Sequence, residues 1–227
     1  MKKVISVVLA ITMLFSLVTM SFAGYKDEAK LQFNKNGKFK ILCLADVQDD
    51  YPMEPDVLQF ISEALDFCAP DLVVFVGDNV VGEDIRAIDE MIAPLDERDI
   101  PFTFVFGNHD AESYSIYNRK AMGDFYSREE WKKCLFQNGE ESIDGFGNSV
   151  IKVKNSKGII TQALINIDSN DYPEGSFLGL TGGYDNIHSN QIEWYESSCE
   201  KLHNENRAFI ENNFSDEEKA KLLEDFG

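Results

Sequence analysis

Leu72-Val73-Val74-Phe75-Val76-Gly77-Asp78-Asn79 decides the fold. Five apolar residues run without a break and then stop at a glycine and a carboxylate. An unbroken apolar run of this length predicts a strand buried on both faces, the habit of parallel sheets. The same grammar appears on either side of it. Upstream, Phe39-Lys40-Ile41-Leu42-Cys43-Leu44-Ala45 predicts a buried strand that ends at Asp46. Downstream, Phe102-Thr103-Phe104-Val105-Phe106 ends at Gly107-Asn108. Between the first two runs, Pro55 suits the first turn of a helix. Val57, Phe60, Ile61, Ala64, Leu65 and Cys68 follow at helical spacing, and Pro70-Asp71 breaks the pattern. Between the second and third runs, Ile85, Ile88, Met91, Ile92 and Leu95 repeat that spacing. The order is β-α-β-α-β, which predicts an α/β fold with helices packed on a parallel sheet.

The three strand ends carry the chemistry. Asp46, Asp78 and Asn108 are each separated by about one βαβ unit of roughly 30 residues. Parallel strands point the same way, so all three groups emerge at the carboxyl edge, where α/β proteins bind ligands. Two carboxylates and an amide oxygen suit divalent cations. Two metals would need a shared carboxylate, and Asp78, in the middle, is the natural bridge. Gly77 and Gly107 leave room for sharp turns. His109 follows Asn108 directly and reaches the same pocket. With Asp110 beside it to orient or charge it, His109 could protonate a leaving group.

The pattern changes after Asp110. Residues 112–148 are mixed, with a helix predicted near Arg128–Phe136. Ser149–Val153 and Ile159–Ile167 predict a hairpin turning at Asn155-Ser156-Lys157-Gly158. A loop rich in Asp, Gly and Tyr covers 168–188. Ser189 is the expected cap of a helix through Ile192, Tyr195 and Leu202. Ser215-Asp216-Glu217-Glu218 reads as a capping box opening a last short helix. Asn166-Ile167-Asp168-Ser169 ends a strand and reads as a loop cap more readily than as a pocket wall. Tyr114, Tyr117 and Tyr126 read as packing before stacking on a substrate.

Composition bounds the rest. The chain has 227 residues and a formal net charge of −19. Residues 1–23 read as a signal peptide: Lys2 and Lys3, an apolar run from Val4 to Val18, then Ser21-Phe22-Ala23 as a cleavage site. Secretion is therefore expected; a membrane anchor formed by an uncleaved segment is the alternative, though the run is short for a span. After cleavage no stable membrane anchor is expected, and the length of the mature chain suits one domain. We expect residues 24–37 to be a loose lead-in, 38–205 the domain and 206–227 a charged helical tail. The acidity argues against nucleic acid and anionic membranes as partners. It argues against anionic substrates too, unless a bound cation reverses the local field. Cys43, Cys68, Cys134 and Cys199 show no zinc spacing; reduced, mostly buried cysteines are expected, with one disulfide as the alternative. There is no GxSxG, GxxxxGK[ST] or HExxH, so serine-hydrolase, P-loop and zincin chemistry lack support.

Asp46-Val47-Gln48, Gly77-Asp78-Asn79 and Gly107-Asn108-His109-Asp110 resemble the first three motif blocks of the calcineurin-like metallophosphoesterase superfamily. The usual order there is DxH, GDxx, GNH[DE], a lone His and a final GHxH. Gly183-Tyr184-Asp185 with Gln191-Ile192-Glu193-Trp194-Tyr195 resembles the lead-in to the fourth block in secreted bacterial members. The resemblance spans about residues 38–200. It implies an α/β fold, a β-sandwich of two mixed sheets flanked by helices. It implies a phosphatase-type hydrolase acting on small-molecule phosphate esters with a metal-bound hydroxide, and Mn, Fe, Zn or Mg as cofactor. Position by position, Asp46 would ligate the first metal, Asp78 bridge, Asn108 ligate the second, and His109 assist at the phosphate or leaving group.

The chain departs from that pattern in two places. Gln48 stands where the pattern has a His; it is a weaker, neutral oxygen donor, able to coordinate or to contact a bound water. Purple acid phosphatases also lack that His but carry a Tyr in the second block, where this chain has Val81. The later histidine blocks have no counterpart: His188 lies in the lead-in loop and His203 in a polar helix, both read as surface residues. The domain is thus expected to be incomplete at its carboxyl end, with an unpaired sheet edge open to dimerisation. The alternative function is a non-catalytic, truncated homologue that binds a single divalent cation or a partner. A weaker idea is diffuse Ca²⁺ binding by the acidic surface.

Overall fold

The computed structural model describes residues 31–81, 84–110, 118–128, 130–173 and 183–227. The predicted signal peptide, residues 24–30 of the lead-in, Tyr114 and Tyr117 lie outside them.

The β-α-β-α-β order is realised. β1 (Ile41–Leu44), α1 (Pro55–Cys68), β2 (Leu72–Val76), α2 (Arg86–Asp96) and β3 (Phe102–Val105) form a parallel sheet in the order β1-β2-β3. α3 (Arg119–Tyr126) comes next in the chain. β4 (Ser149–Lys154) and β5 (Ile160–Asn166) pair as an antiparallel hairpin. α4 (Ser189–Asn213) and α5 (Asp216–Phe226) close the chain.

Register decides the layers. Val73 pairs with Phe102 and Phe75 with Phe104. These side chains face the helices and join Ile61, Leu65, Ile88, Met91, Ile92 and Tyr126 in the main core. Leu72 and Val74 point the other way and pack on Ile151 and Val153 of the hairpin. The result is the expected two-sheet sandwich, but among the described residues neither sheet is mixed: one is parallel and the other antiparallel. Three stacked aromatic rings knit the helix-side core: Phe104 lies 5.1 Å from Phe75 and 4.0 Å from Tyr126, centroid to centroid.

The structure corrects several local expectations. β1 is not a buried strand. Ile41 and Cys43 lie on the hairpin side of the sheet, but the hairpin does not reach them, and both are exposed. All four cysteines are free, but Cys134 alone is buried. Phe60 is 64% exposed, because it sits at the rim of α1, beside the end of β1, and not on its buried stripe. Arg128 and residues 130–136 are not helical. The helix is α3, capped by Asn118, whose side chain accepts from the Ala121 N–H at 2.9 Å. Residues 133–135 run along β3 instead, with Phe102 N–H on Lys133 and Leu135 N–H on Phe102.

At α4 the cap is His188, not Ser189, and its backbone N–H is held by the Gln191 side chain at 2.9 Å. The buried stripe is Gln191, Trp194, Ser198, Asn206 and Ile210, so Ile192 and Tyr195 face outward. The end of the lead-in is pinned: Leu31 is buried, and Phe33 N–H bonds Lys154. One helix runs through residues 205 and 206, and Ile210 and Leu222 form a small core with Ile159. The Ser215–Glu218 capping box forms at α5. Among the described residues no helix is long and apolar enough to cross a membrane.

Candidate metal centre

Backbone bonds carry the β1–β2 pairing past the strand ends. Asp46 N–H donates to Gly77 at 3.2 Å, Gln48 N–H to Asp78 at 3.1 Å, and Val81 N–H to Asp49 at 3.0 Å. The first two motif loops therefore run side by side. Asp46, Gln48 and Asp78 all hold positive φ, at 56°, 48° and 49°. Non-glycine residues seldom adopt this conformation, and where they do the strain collects at functional sites.

Asp78 is the hub. One carboxylate oxygen accepts the His109 backbone N–H at 2.9 Å, and the other accepts the Gln48 side-chain N–H at 3.0 Å. The third loop is pressed against it. A Cβ on Gly107 would lie 2.0 Å from the Asp78 Oδ1, so only glycine fits there. The predicted middle carboxylate does sit between the other two loops. His109 is partly buried at the same turn.

Asp110 bonds across the two loops. Its carboxylate accepts the N–H groups of Gly107 at 2.7 Å, Asn79 at 2.8 Å and Val80 at 3.2 Å, and the Asn79 amide at 3.2 Å. It staples the second loop to the third. Burial pushes this carboxyl up to about 6, against the pull of the three backbone donors, and the nearby Asp78 charge adds to the rise.

Three more residues shape the site. Arg119, at the start of α3, donates to Asp168 at 2.6 Å and to the Gly107 carbonyl at 2.9 Å. Asp168 also accepts from Phe146 N–H at 2.8 Å and from Asn170 N–H at 3.0 Å. This buried pair ties the third motif loop to the end of β5. Tyr172 accepts the Asn108 side-chain N–H at 3.0 Å.

These bonds bear on whether a cation fits. Asn108 and Gln48 both direct their amide nitrogens to protein partners, which leaves the Oδ1 of Asn108 and the Oε1 of Gln48 as donors. With Asp46 and Asp78 the set is all oxygen with two negative charges. Such a set suits one hard divalent cation that keeps several waters. Among the described residues no three His, Cys, Asp or Glu side chains gather as a metal site. The donors therefore fit a single open site better than an enclosed pair. His188 is engaged elsewhere: its ring nitrogens lie 2.7 Å from Asp144 and 3.2 Å from Asp185. The hydrogen bond to Asp144, then that to Asp185, raises its pKa above the ordinary histidine value. His203 is exposed on α4.

The strand-end pattern pointed to Asp46, Asp78, Asn108 and His109, and the family resemblance pointed to Gln48. Sequence reasoning set Asp168 aside and missed Arg119 and Tyr172. The ending of β5 in Asn166-Ile167-Asp168 repeats the strand-then-acid signal of β1 and β2 and could have pointed to Asp168.

Comparison with known proteins gives this arrangement a context. The calcineurin-like phosphoesterase family model matches residues 39–225. A probable inactive purple acid phosphatase 14 of Arabidopsis thaliana is 27% identical over an alignment covering 90% of this chain and 58% of the relative. A probable inactive purple acid phosphatase 29 of the same plant is 29% identical, covering 79% of this chain and 52% of the relative. The phosphatase DCR2 of Saccharomyces cerevisiae is 29% identical, covering 79% of this chain and 35% of its own length. The chain thus spans little more than half the length of these relatives, or less.

Proposed function

This chain belongs to the calcineurin-like phosphoesterase family, and from that premise we propose that it hydrolyses small phosphate esters with one divalent cation at the strand ends. The single observation that supports this reading is the convergence of three loops on Asp78, which accepts from both Gln48 and His109.

Asp46 and Asp78 would hold the cation, with Asn108 and Gln48 adding neutral oxygens. Mn²⁺ and Mg²⁺ suit these donors, whereas Zn²⁺ and Fe favour nitrogen or sulfur. When bound, the cation supplies positive charge that offsets the acidic surface and polarises a phosphoryl oxygen. Asp78 fixes the third loop through the His109 N–H. Asp110 and Arg119 hold that loop's backbone from two other directions. His109 then stands at a fixed turn, where its ring donates a proton to the departing oxygen. Gln48 hydrogen-bonds Asp78 and limits its rotation.

The test uses purified protein, Mn²⁺ and a chromogenic phosphate ester. Mn²⁺-dependent hydrolysis that Asp78→Ala abolishes is the expected result. Equal rates for wild type and Asp78→Ala rule out catalysis at this site.

A second reading is a non-catalytic cation binder. It draws on the names of two relatives, each a probable inactive phosphatase, and on Gln48 and Val81 at positions where the family's active patterns place stronger ligands. It predicts bound Mn²⁺ without turnover. Two further properties belong to the proposal. Export through residues 1–23 is tested by finding Gly24 as the mature amino terminus. Dimerisation through β1 draws on its outer edge, which pairs with no strand among the described residues; light scattering tests it.

A further inference from the structure

We propose that Tyr172 and Tyr184 form an aromatic platform that takes the planar group of an aryl or nucleoside phosphate. The proposal rests on the hydrolase reading for its substrate, but on its own geometry for the subsite.

The two rings stack with centroids 5.7 Å apart and planes 21° from parallel. This offset arrangement suits aromatic faces. Tyr184 is 73% exposed, so most of its ring meets solvent. A lone exposed tyrosine needs no explanation. This pair is different because it is built and tethered. Tyr172 accepts the Asn108 side-chain N–H at 3.0 Å, which places the stack one hydrogen bond from the cation site. The two halves of the loop are also laced together. Asp185 N–H donates to the Asp171 carbonyl at 3.0 Å and the Asn170 side chain to the Asn186 carbonyl at 2.9 Å, while within the first half the Asp171 carboxylate accepts Tyr172 N–H at 2.6 Å. The platform is therefore ordered before any ligand arrives, which lowers the entropic cost of binding. A phosphoryl group at the strand ends leaves its alcohol portion to extend toward these rings. A planar portion stacks there, and a short aliphatic one has little to gain.

The test compares phenyl phosphate, a nucleoside monophosphate and glycerol phosphate as substrates of the full chain with Mn²⁺. Tyr184→Leu should lower the planar-to-aliphatic ratio of kcat/KM about tenfold, the size of one lost stacking contact. Tyr184→Trp should restore it. The two planar esters distinguish an aryl from a nucleoside preference. A separate arm needs no catalysis: saturation-transfer NMR with phenol and with adenosine, free of phosphate and metal. Transfer to the planar ligand in wild type that weakens in Tyr184→Leu and returns in Tyr184→Trp supports the platform. An unchanged ratio in Tyr184→Leu, or absent transfer in wild type, overturns it. If no ester is hydrolysed at all, the hydrolase reading fails, and the NMR arm alone decides the platform.

Discussion

β1 and β2 are neighbours bonded in register from Ile41–Leu72 to Leu44–Phe75, and both lead to an aspartate. Yet Leu72, Val73, Val74 and Phe75 are at most 5% exposed, while Ile41 is 39% exposed. The strands differ in what covers them. Helices pack on one face of β2 and the hairpin on the other. β1 lies past the reach of the hairpin, and a shallow cleft of about 300 Å³ lined by Leu44, Val47, Val57 and Phe60 opens beside its end. An apolar run thus specifies a strand, but burial depends on a second layer supplied from far along the chain. The closed side positions Asp78 and Asn108, and the open side leaves Asp46 exposed.

Mutations can break this contrast. The largest effect is expected in the closed region. Phe104→Ala removes the ring stacked between Phe75 and Tyr126 and should cost about 3–5 kcal/mol of unfolding free energy in urea. Ile41→Ala, in the open strand, should cost under about 1 kcal/mol. Similar costs for the two would erase the distinction. Next comes the pair that links the closed region to the hairpin. Arg119 is 10% exposed and Asp168 fully buried. Asp168→Ala leaves the guanidinium only the longer carboxylate contact, to Asp171 at 3.4 Å, and should cost about 3 kcal/mol; a loss below about 1 kcal/mol would mean the pair does not hold the third loop.

A smaller effect is expected at the open edge. If β1 mediates dimerisation, Ile41→Lys places a charge on that edge and should shift the protein toward monomer in light scattering. An unchanged mass would place any association elsewhere. The smallest effect concerns His188. Its folded pKa is raised by Asp144 and Asp185, so its contribution is complete below the unfolded value of about 6.5. That contribution fades as pH rises through the folded value. The stability of wild type over His188→Gln should therefore be greater at about pH 6 than at about pH 9, and a pH-independent difference would discount the ion pairs.

Much of this was legible in the sequence, for local reasons. Apolar runs leading to Asp46, Asp78 and Asn108 announce strands and a common edge. The spacing of Ile61, Leu65, Ile88, Met91 and Leu95 announces helices. What escaped was long-range. Asp110 sits beside His109 in the chain, but its partners Asn79 and Val80 lie 31 and 30 residues back. Arg119 meets Asp168 across 49 residues, and Asn108 meets Tyr172 across 64. No periodicity encodes such pairs. The helix expected at 128–136 failed for the same reason, since Cys134 bridges to Phe102. The burial of Cys43 was misjudged because its neighbours in the opposite layer are set by the hairpin's position.

We propose one cation site around Asp78, formed by the three strand-end loops. Electron paramagnetic resonance titration of Mn²⁺ into the purified chain tests it most directly, because it counts bound ions without requiring turnover. One bound Mn²⁺ in wild type, lost in Asp78→Ala, is the predicted result. Two tightly held ions, or binding that survives Asp78→Ala unchanged, would contradict it.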